Sequence, residues 1–277
     1  MVATGWLADH LGSPGLLVLD GSWYLPTAAR DPRAEFVVGH IRGARFFDLD
    51  QASDQATTLP HMLPSAEQFT RQMRELGIRR DQAIVVYDGS GANLSAARVW
   101  WMFRVFGHEK VAVLDGGFGK WVREGHPVER GASVAPVPGD FEARLDRSAV
   151  RDLGSVIDNV TSRRELVVDM RPGGRFTARD PEPRPGIRSG HIPGSVSLPY
   201  TELVGADGTV LPQDKLRARL TAAGLQLDRP IVATCGSGTS ACALLLALET
   251  LGFHQHAVYD GAWTEWGGRE DTPVEKG

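Results

Sequence analysis

Cys235 is the residue whose type and setting could do the most chemistry. It follows the apolar run Ile231-Val232-Ala233-Thr234. It precedes Gly236-Ser237-Gly238-Thr239-Ser240, which leads into Ala241-Cys242-Ala243-Leu244-Leu245-Leu246-Ala247-Leu248. That order predicts a strand, a tight loop and a helix. A thiol at such a junction faces unpaired main-chain N–H groups and the positive end of the helix dipole. Both favour thiolate, so a pKa ordinarily near 8.5 is expected to fall. Gly236 and Gly238 are expected to take positive φ and to turn successive N–H groups toward one centre. The other reading of a cysteine after a strand is core packing. Five small or polar neighbours favour a nucleophile in an anion cradle at Cys235, whereas Cys242, inside the apolar run, reads as packing.

The rest of the chain limits what such a thiol serves. With 277 residues there is room for one large domain or two ordinary ones. A net charge of −4 gives no electrostatic case for nucleic acid or an anionic membrane. No apolar run approaches the length of a membrane span, and the first residues lack the pattern of a secretory signal. Two cysteines seven positions apart make neither a disulfide framework nor a zinc pattern. A reducing cytoplasm is the expected location. No metal is expected, and no cofactor, because dinucleotide and phosphate-loop fingerprints are missing.

The elements that must position the thiol come in two copies. Gly39-His40-Ile41-Arg42-Gly43 returns as Gly190-His191-Ile192-Pro193-Gly194, and Leu16-Leu17-Val18-Leu19-Asp20 as Leu166-Val167-Val168-Asp169. Ala83 to Gly91 matches Pro230 to Gly238, and Val113-Leu114-Asp115-Gly116-Gly117 matches Val258-Tyr259-Asp260-Gly261-Ala262. Four landmarks in one order predict two homologous domains, over 1–130 and 141–277, joined by a Pro- and small-residue-rich linker at 131–140. Within each, short apolar runs alternate with helical stretches such as Ser65 to Leu76, Leu94 to Phe106 and Pro212 to Ala223. This predicts an α/β fold with a mainly parallel sheet flanked by helices. Active residues then sit past the carboxyl ends of strands, where Asp88 in the first half matches Cys235 in the second. The first half therefore lacks the nucleophile. The paired His40 and His191, and Asp20, Asp115, Asp169 and Asp260, recur in both halves and read as structural.

These motifs resemble the two-domain rhodanese-type sulfurtransferases. The resemblance runs essentially end to end and includes Arg98 to His108 and Pro181-Glu182-Pro183-Arg184. The Cys235-Gly236-Ser237-Gly238 loop is similar to members that use 3-mercaptopyruvate rather than thiosulfate, although Thr239-Ser240 stands where Val-Thr is common. The resemblance implies that Cys235 takes sulfur from 3-mercaptopyruvate as a persulfide, releases pyruvate, and passes the sulfur to a thiol acceptor such as thioredoxin or a small thiol, or to cyanide. It implies substrate binding by Arg175, Arg184 and the loop Gly236, Ser237, Gly238, Thr239 and Ser240. It further implies a relay of Asp50, His61 and Ser237.

Three alternatives stay open on residues alone. A cysteine phosphatase uses the same cradle but needs an arginine six residues after the cysteine, where this chain has Ala241. Thiosulfate sulfurtransfer would suit a loop carrying cations. A binding module without chemistry would not need the thiol.

Overall fold

The computed structural model describes residues 1–133 and 135–277; Val134, in the expected linker, lies outside the described residues. The chain forms two compact units. The first comprises Met1–Gln55, Leu63–Asp146 and Ala206–Val210, and the second Ala56–Met62, Arg147–Gly205 and Leu211–Gly277.

In the first unit the strands are β1 (Leu16–Asp20), β2 (His40–Ile41), β3 (Arg45–Phe46), β4 (Ala83–Tyr87), β5 (Val111–Val113) and β6 (Val128–Glu129). Four of them form a parallel sheet in the order β3-β1-β4-β5, with Leu16 opposite Ala83 and Ile84 opposite Val111. The remaining pair, β2 and β6, is antiparallel. In the second unit β7 (Val150–Arg151), β8 (Leu166–Asp169), β9 (Val196–Ser197), β10 (Ile231–Thr234) and β11 (His256–Tyr259) form a parallel sheet in the order β7-β11-β10-β8-β9.

Runs such as Leu-Val-Val-Asp in β8 and Ile-Val-Ala-Thr in β10 are buried at every position. Continuous burial of this kind is the signature of a parallel strand covered on both faces. Between strands the helical stretches form as expected. Helix Ala66–Glu75 starts at Ser65, whose hydroxyl accepts from Gln68 N. Helices Leu94–Val105, Gln213–Ala222 and Ala241–Thr250 follow. Ala241 to Leu248 are all buried, so this helix is apolar on every side. Each fully buried leucine there contributes roughly 1.5–3 kcal/mol.

The duplicated motifs adopt the same structure in each unit. His40 stacks on Phe36 at 3.9 Å and donates through Nδ1 to the Phe36 carbonyl at 2.8 Å. His191 stacks on Phe176 at 3.7 Å and donates to the Phe176 carbonyl at 2.9 Å. A carbonyl only accepts, so both rings carry hydrogen on Nδ1. Both histidines thus anchor loops, as their repetition suggested. Late in each motif set, Trp121 Nε1 donates to Pro127 O and Trp266 Nε1 to Pro273 O.

The expected linker is partly built into the first unit. Gly139 N donates to Arg74 O at 2.8 Å, and any side chain at 139 would run into Ile78 O. Phe141, read from the sequence as the start of the second domain, is 2% exposed among Phe69, Phe103 and His108 of the first. An aromatic side chain of that size goes where a core accepts it, and this carries the first unit on to Asp146.

Candidate active site

Cys235 immediately follows β10, the middle strand of the second unit's sheet, and is 2% exposed. The loop after it is held from behind by its carbonyls. Trp263 N donates to Cys235 O at 2.9 Å; Thr264 N and Oγ1 donate to Gly236 O at 3.0 and 2.5 Å. Cys242 Sγ donates to Gly238 O at 3.3 Å, and Cys242 N and Ala243 N donate to Thr239 O and Ser240 O. The chain has no cis peptide among the described residues. In a trans peptide the carbonyl and the next N–H point in opposite directions. The N–H groups of Gly236, Ser237, Thr239 and Ser240 are therefore turned away from helices Ala262–Gly268 and Ala241–Thr250. None of these four donates to a protein acceptor among the described residues. Orphan donors beside a thiol, at a helix N-terminus, are what an anionic sulfur requires.

Only one of the two loop glycines is needed for its backbone. Gly238 has φ +76°, as expected. Gly236 does not take positive φ, which corrects the expectation for it; its reason is space. A methyl group there would sit 3.3 Å from Arg175 Nη2 and 3.9 Å from Arg184 Nη1. The two arginines expected to bind substrate therefore converge on the residue next to the thiol.

Arg175 reaches that position at the end of a buried ionic chain. Asp169, at the end of β8, pairs with Arg171 at 2.6 Å, and Arg171 pairs with Glu182 at 2.7 Å. Glu182 also accepts from Arg175, through Nε at 3.1 and 3.2 Å and through Nη2. The Arg171 guanidinium lies over the Trp263 ring at 4.3 Å. Asp169, Arg171 and Glu182 are each at most 4% exposed along their side chains, so alternating charges are the condition for burying them at all. Sequence reasoning assigned no role to Glu182 or Arg171. The available signal was Glu182 between two prolines in the same motif as Arg184. Arg188, also left without a role, ties the loop to the C-terminal segment through Trp266 O, Gly267 O and Thr272.

His61 belongs to the second unit although it lies in the first half of the sequence. Its Nδ1 is 3.0 Å from Ser237 Oγ and 3.1 Å from Thr239 Oγ1, and the two hydroxyls are 3.5 Å apart. His61 has φ +61° and is 4% exposed. A non-glycine residue held in the left-handed region costs on the order of 1 kcal/mol and concentrates at functional sites. The structure thus brings His61 to Ser237, as expected, and adds Thr239. Asp50 is in the first unit, on helix Leu49–Ala52, where its carboxylate accepts from Trp23 Nε1 at 3.0 and 3.2 Å.

The first unit carries the same strand-to-helix turn without a thiol. Asp88 follows β4 and is fully buried. Its carboxylate accepts from Ser90 N at 2.8 Å, Ser90 Oγ at 2.6 Å and Ala96 N at 2.8 Å. The donors of that turn are thereby taken up by the protein's own anion.

Two parallel α/β units, each with the stacked Gly-His-Ile anchor and a strand–loop–helix anion cradle, define tandem rhodanese-like domains. The rhodanese-like domain family matches at residues 3–124 and again at 152–269, and the chain belongs to that family. Among its relatives are "Thiosulfate/3-mercaptopyruvate sulfurtransferase 1, mitochondrial" of Arabidopsis thaliana and "3-mercaptopyruvate sulfurtransferase" of Homo sapiens. The Arabidopsis protein is 43% identical over 99% of this chain and 78% of its own length, and the human one 43% identical over 96% and 91%. The crystal structure of SseA from Escherichia coli, described as a 3-mercaptopyruvate sulfotransferase with the rhodanese fold, superposes with a TM-score of 0.87. It is 40% identical and covers 95% of this chain and 98% of SseA.

Proposed function

We propose that this protein is a sulfurtransferase that moves sulfur from 3-mercaptopyruvate through a persulfide on Cys235 to a thiol acceptor. The observation that carries this reading is the approach of Arg175 and Arg184 to Gly236, beside the thiol. A donor bearing a carboxylate next to a carbonyl needs planar cationic donors close to the attacked sulfur. In the first step the Cys235 thiolate attacks the donor's sulfur. The C–S bond breaks, its electron pair leaves as the enolate of pyruvate, and the donor's S–H hydrogen ends on the methyl carbon. Cys235 keeps the sulfur as a persulfide anion, stabilised by the orphan N–H groups of the loop. In the second step an acceptor thiolate takes the outer sulfur and returns Cys235 as thiolate. Net charge is conserved in both steps, and no outside oxidant is required. Two chemical steps on one nucleophile give ping-pong kinetics.

Ser237 and His61 supply the route for the thiol hydrogen. The resemblance adds Asp50 as the acid of this set; an Asp50→Asn variant with an unchanged first step removes it. The acceptor is a thioredoxin-type dithiol or a small thiol. Both cysteines are free, which suits a reducing compartment, and the cytoplasm is the proposed location.

A donor panel tests the reading. Pyruvate release from 3-mercaptopyruvate is expected to exceed sulfur transfer from thiosulfate, and Cys235→Ser is expected to abolish both with the fold intact. The Arabidopsis relative's name joins both donors, so thiosulfate is the second donor to compare. Preference for thiosulfate, or no gain of one sulfur by Cys235 in the mass spectrum after donor, would overturn the proposal.

A further inference from the structure

Nδ1 of His61 offers either one hydrogen or one lone pair, yet two hydroxyls face it at 3.0 and 3.1 Å. Ser237 is 5% and Thr239 6% exposed, so bulk water does not stand in for either. The Thr239 main chain is itself fixed, its carbonyl accepting from Cys242 N at 3.2 Å. Its hydroxyl is therefore aimed by the start of helix Ala241–Thr250 rather than by chance of a mobile side chain. A single serine would complete the pair with His61, and packing alone would be served by valine at 239.

We propose that Thr239 is a positioning residue for sulfur transfer: it is the second hydroxyl of the His61 relay and holds Nδ1 while Ser237 exchanges hydrogen with the donor. The inference rests on the function proposed above. In the resting site Nδ1 is bare and accepts from Ser237 or Thr239. As the donor's S–H hydrogen passes to Ser237 Oγ, the Ser237 hydrogen passes to Nδ1. The imidazolium N–H then has two acceptors, Ser237 Oγ and Thr239 Oγ1. The hydrogen returns through Ser237 to the methylene carbon of the departing enolate, so the imidazole ends as it began. Throughout, Thr239 keeps the ring in the plane that Ser237 needs, despite the left-handed backbone of His61.

The test is a set of variants in the full chain: Thr239→Val, Thr239→Ser, Ser237→Ala and the double Ser237→Ala/Thr239→Val. Thr239→Val is expected to slow the pyruvate burst about tenfold, with KM for 3-mercaptopyruvate changed by less than about twofold. Thr239→Ser is expected to restore the burst. In the Ser237→Ala background Thr239→Val is expected to add nothing, because Thr239 acts through Ser237. A full-rate Thr239→Val, a Thr239→Ser as slow as the valine, or effects that multiply in the double variant each overturn the role. The His61 Nδ1 resonance in ¹⁵N-histidine-labelled protein reads the same contact without substrate. It is expected to move in Thr239→Val and to stay near wild type in Thr239→Ser; an unmoved resonance in both overturns the inference. Wild type that releases no pyruvate overturns the proposed function instead, and the resonance then decides the Thr239 contact alone.

Discussion

At the scale of single residues the site depends on two that carry no catalytic group. Gly236 leaves room for the arginines: a methyl at 3.3 Å from Arg175 Nη2 forces that guanidinium back by a few tenths of an ångström. Gly236→Ala is expected to raise KM for 3-mercaptopyruvate about tenfold while the persulfide still forms at saturating donor, as steady-state kinetics will show. Glu182 separates two buried or half-buried cations. Glu182→Ala leaves Arg171 and Arg175 facing each other with Asp169 as the one remaining anion of the ionic chain, in a site closed to water, and is expected to destabilise the fold by about 3–5 kcal/mol in urea melts. Glu182→Gln, which keeps shape and an acceptor, is expected to lose less. Cys235 and its small-residue loop stood out in the sequence by residue type and order, whereas Arg175 and Arg184 were indicated only by the resemblance, since an arginine in a loop carries no mark of its own. Glu182 was not legible, because a glutamate between prolines looks the same exposed or buried. Thr239 was expected only as one more residue of the substrate loop, and its contact with a histidine 178 positions away had no signal in the sequence.

At the scale of elements, sequence patterns located strands and helices well because both faces of each sheet are covered and the apolar runs are uninterrupted. The loops between them were less legible. The left-handed φ of His61 was not legible, because histidine enters that region more often than most residues yet still rarely, and no glycine or asparagine marks the turn. Turn aspartates at strand ends also proved to differ in role: Asp115 accepts from Val210 N, while Asp169 anchors an ion pair. Asp20, at the end of β1, accepts from Ser22 N, and its pKa is pushed up to about 6, chiefly by burial and against the pull of its Ser22 hydrogen bonds. Its folded pKa lies above the unfolded value near 3.8, so its contribution to stability is complete below pH 3.8 and is lost as pH rises through about 6. A shift of about two units corresponds to roughly 3 kcal/mol at neutral pH. Asp20→Asn is expected to melt at a higher temperature than wild type at pH 7, with the gap closing toward pH 4. Parallel pH dependence in the two proteins would contradict this.

At the scale of the whole molecule the duplication was legible, because four motifs recur in order and each folds into the same anchor in both units. What the repeat did not reveal is that the units do not follow the halves of the chain. Residues 56–62 belong to the second unit and residues 206–210 to the first. A fragment covering residues 147–277 therefore lacks His61 as well as a piece of its own unit. It is expected to melt well below the full chain and, with 3-mercaptopyruvate, to show a pyruvate burst slowed about a hundredfold. A burst at the full-length rate would remove His61 from the mechanism. The same exchange bears on how the protein is made. The segment with His61 leaves the ribosome long before the strands it joins, and the first unit is incomplete until residues 206–210 emerge. Neither unit can be finished and released as synthesis passes its midpoint, so the newborn chain stays partly open, and dependent on protection from aggregation, until its second half has nearly all been translated.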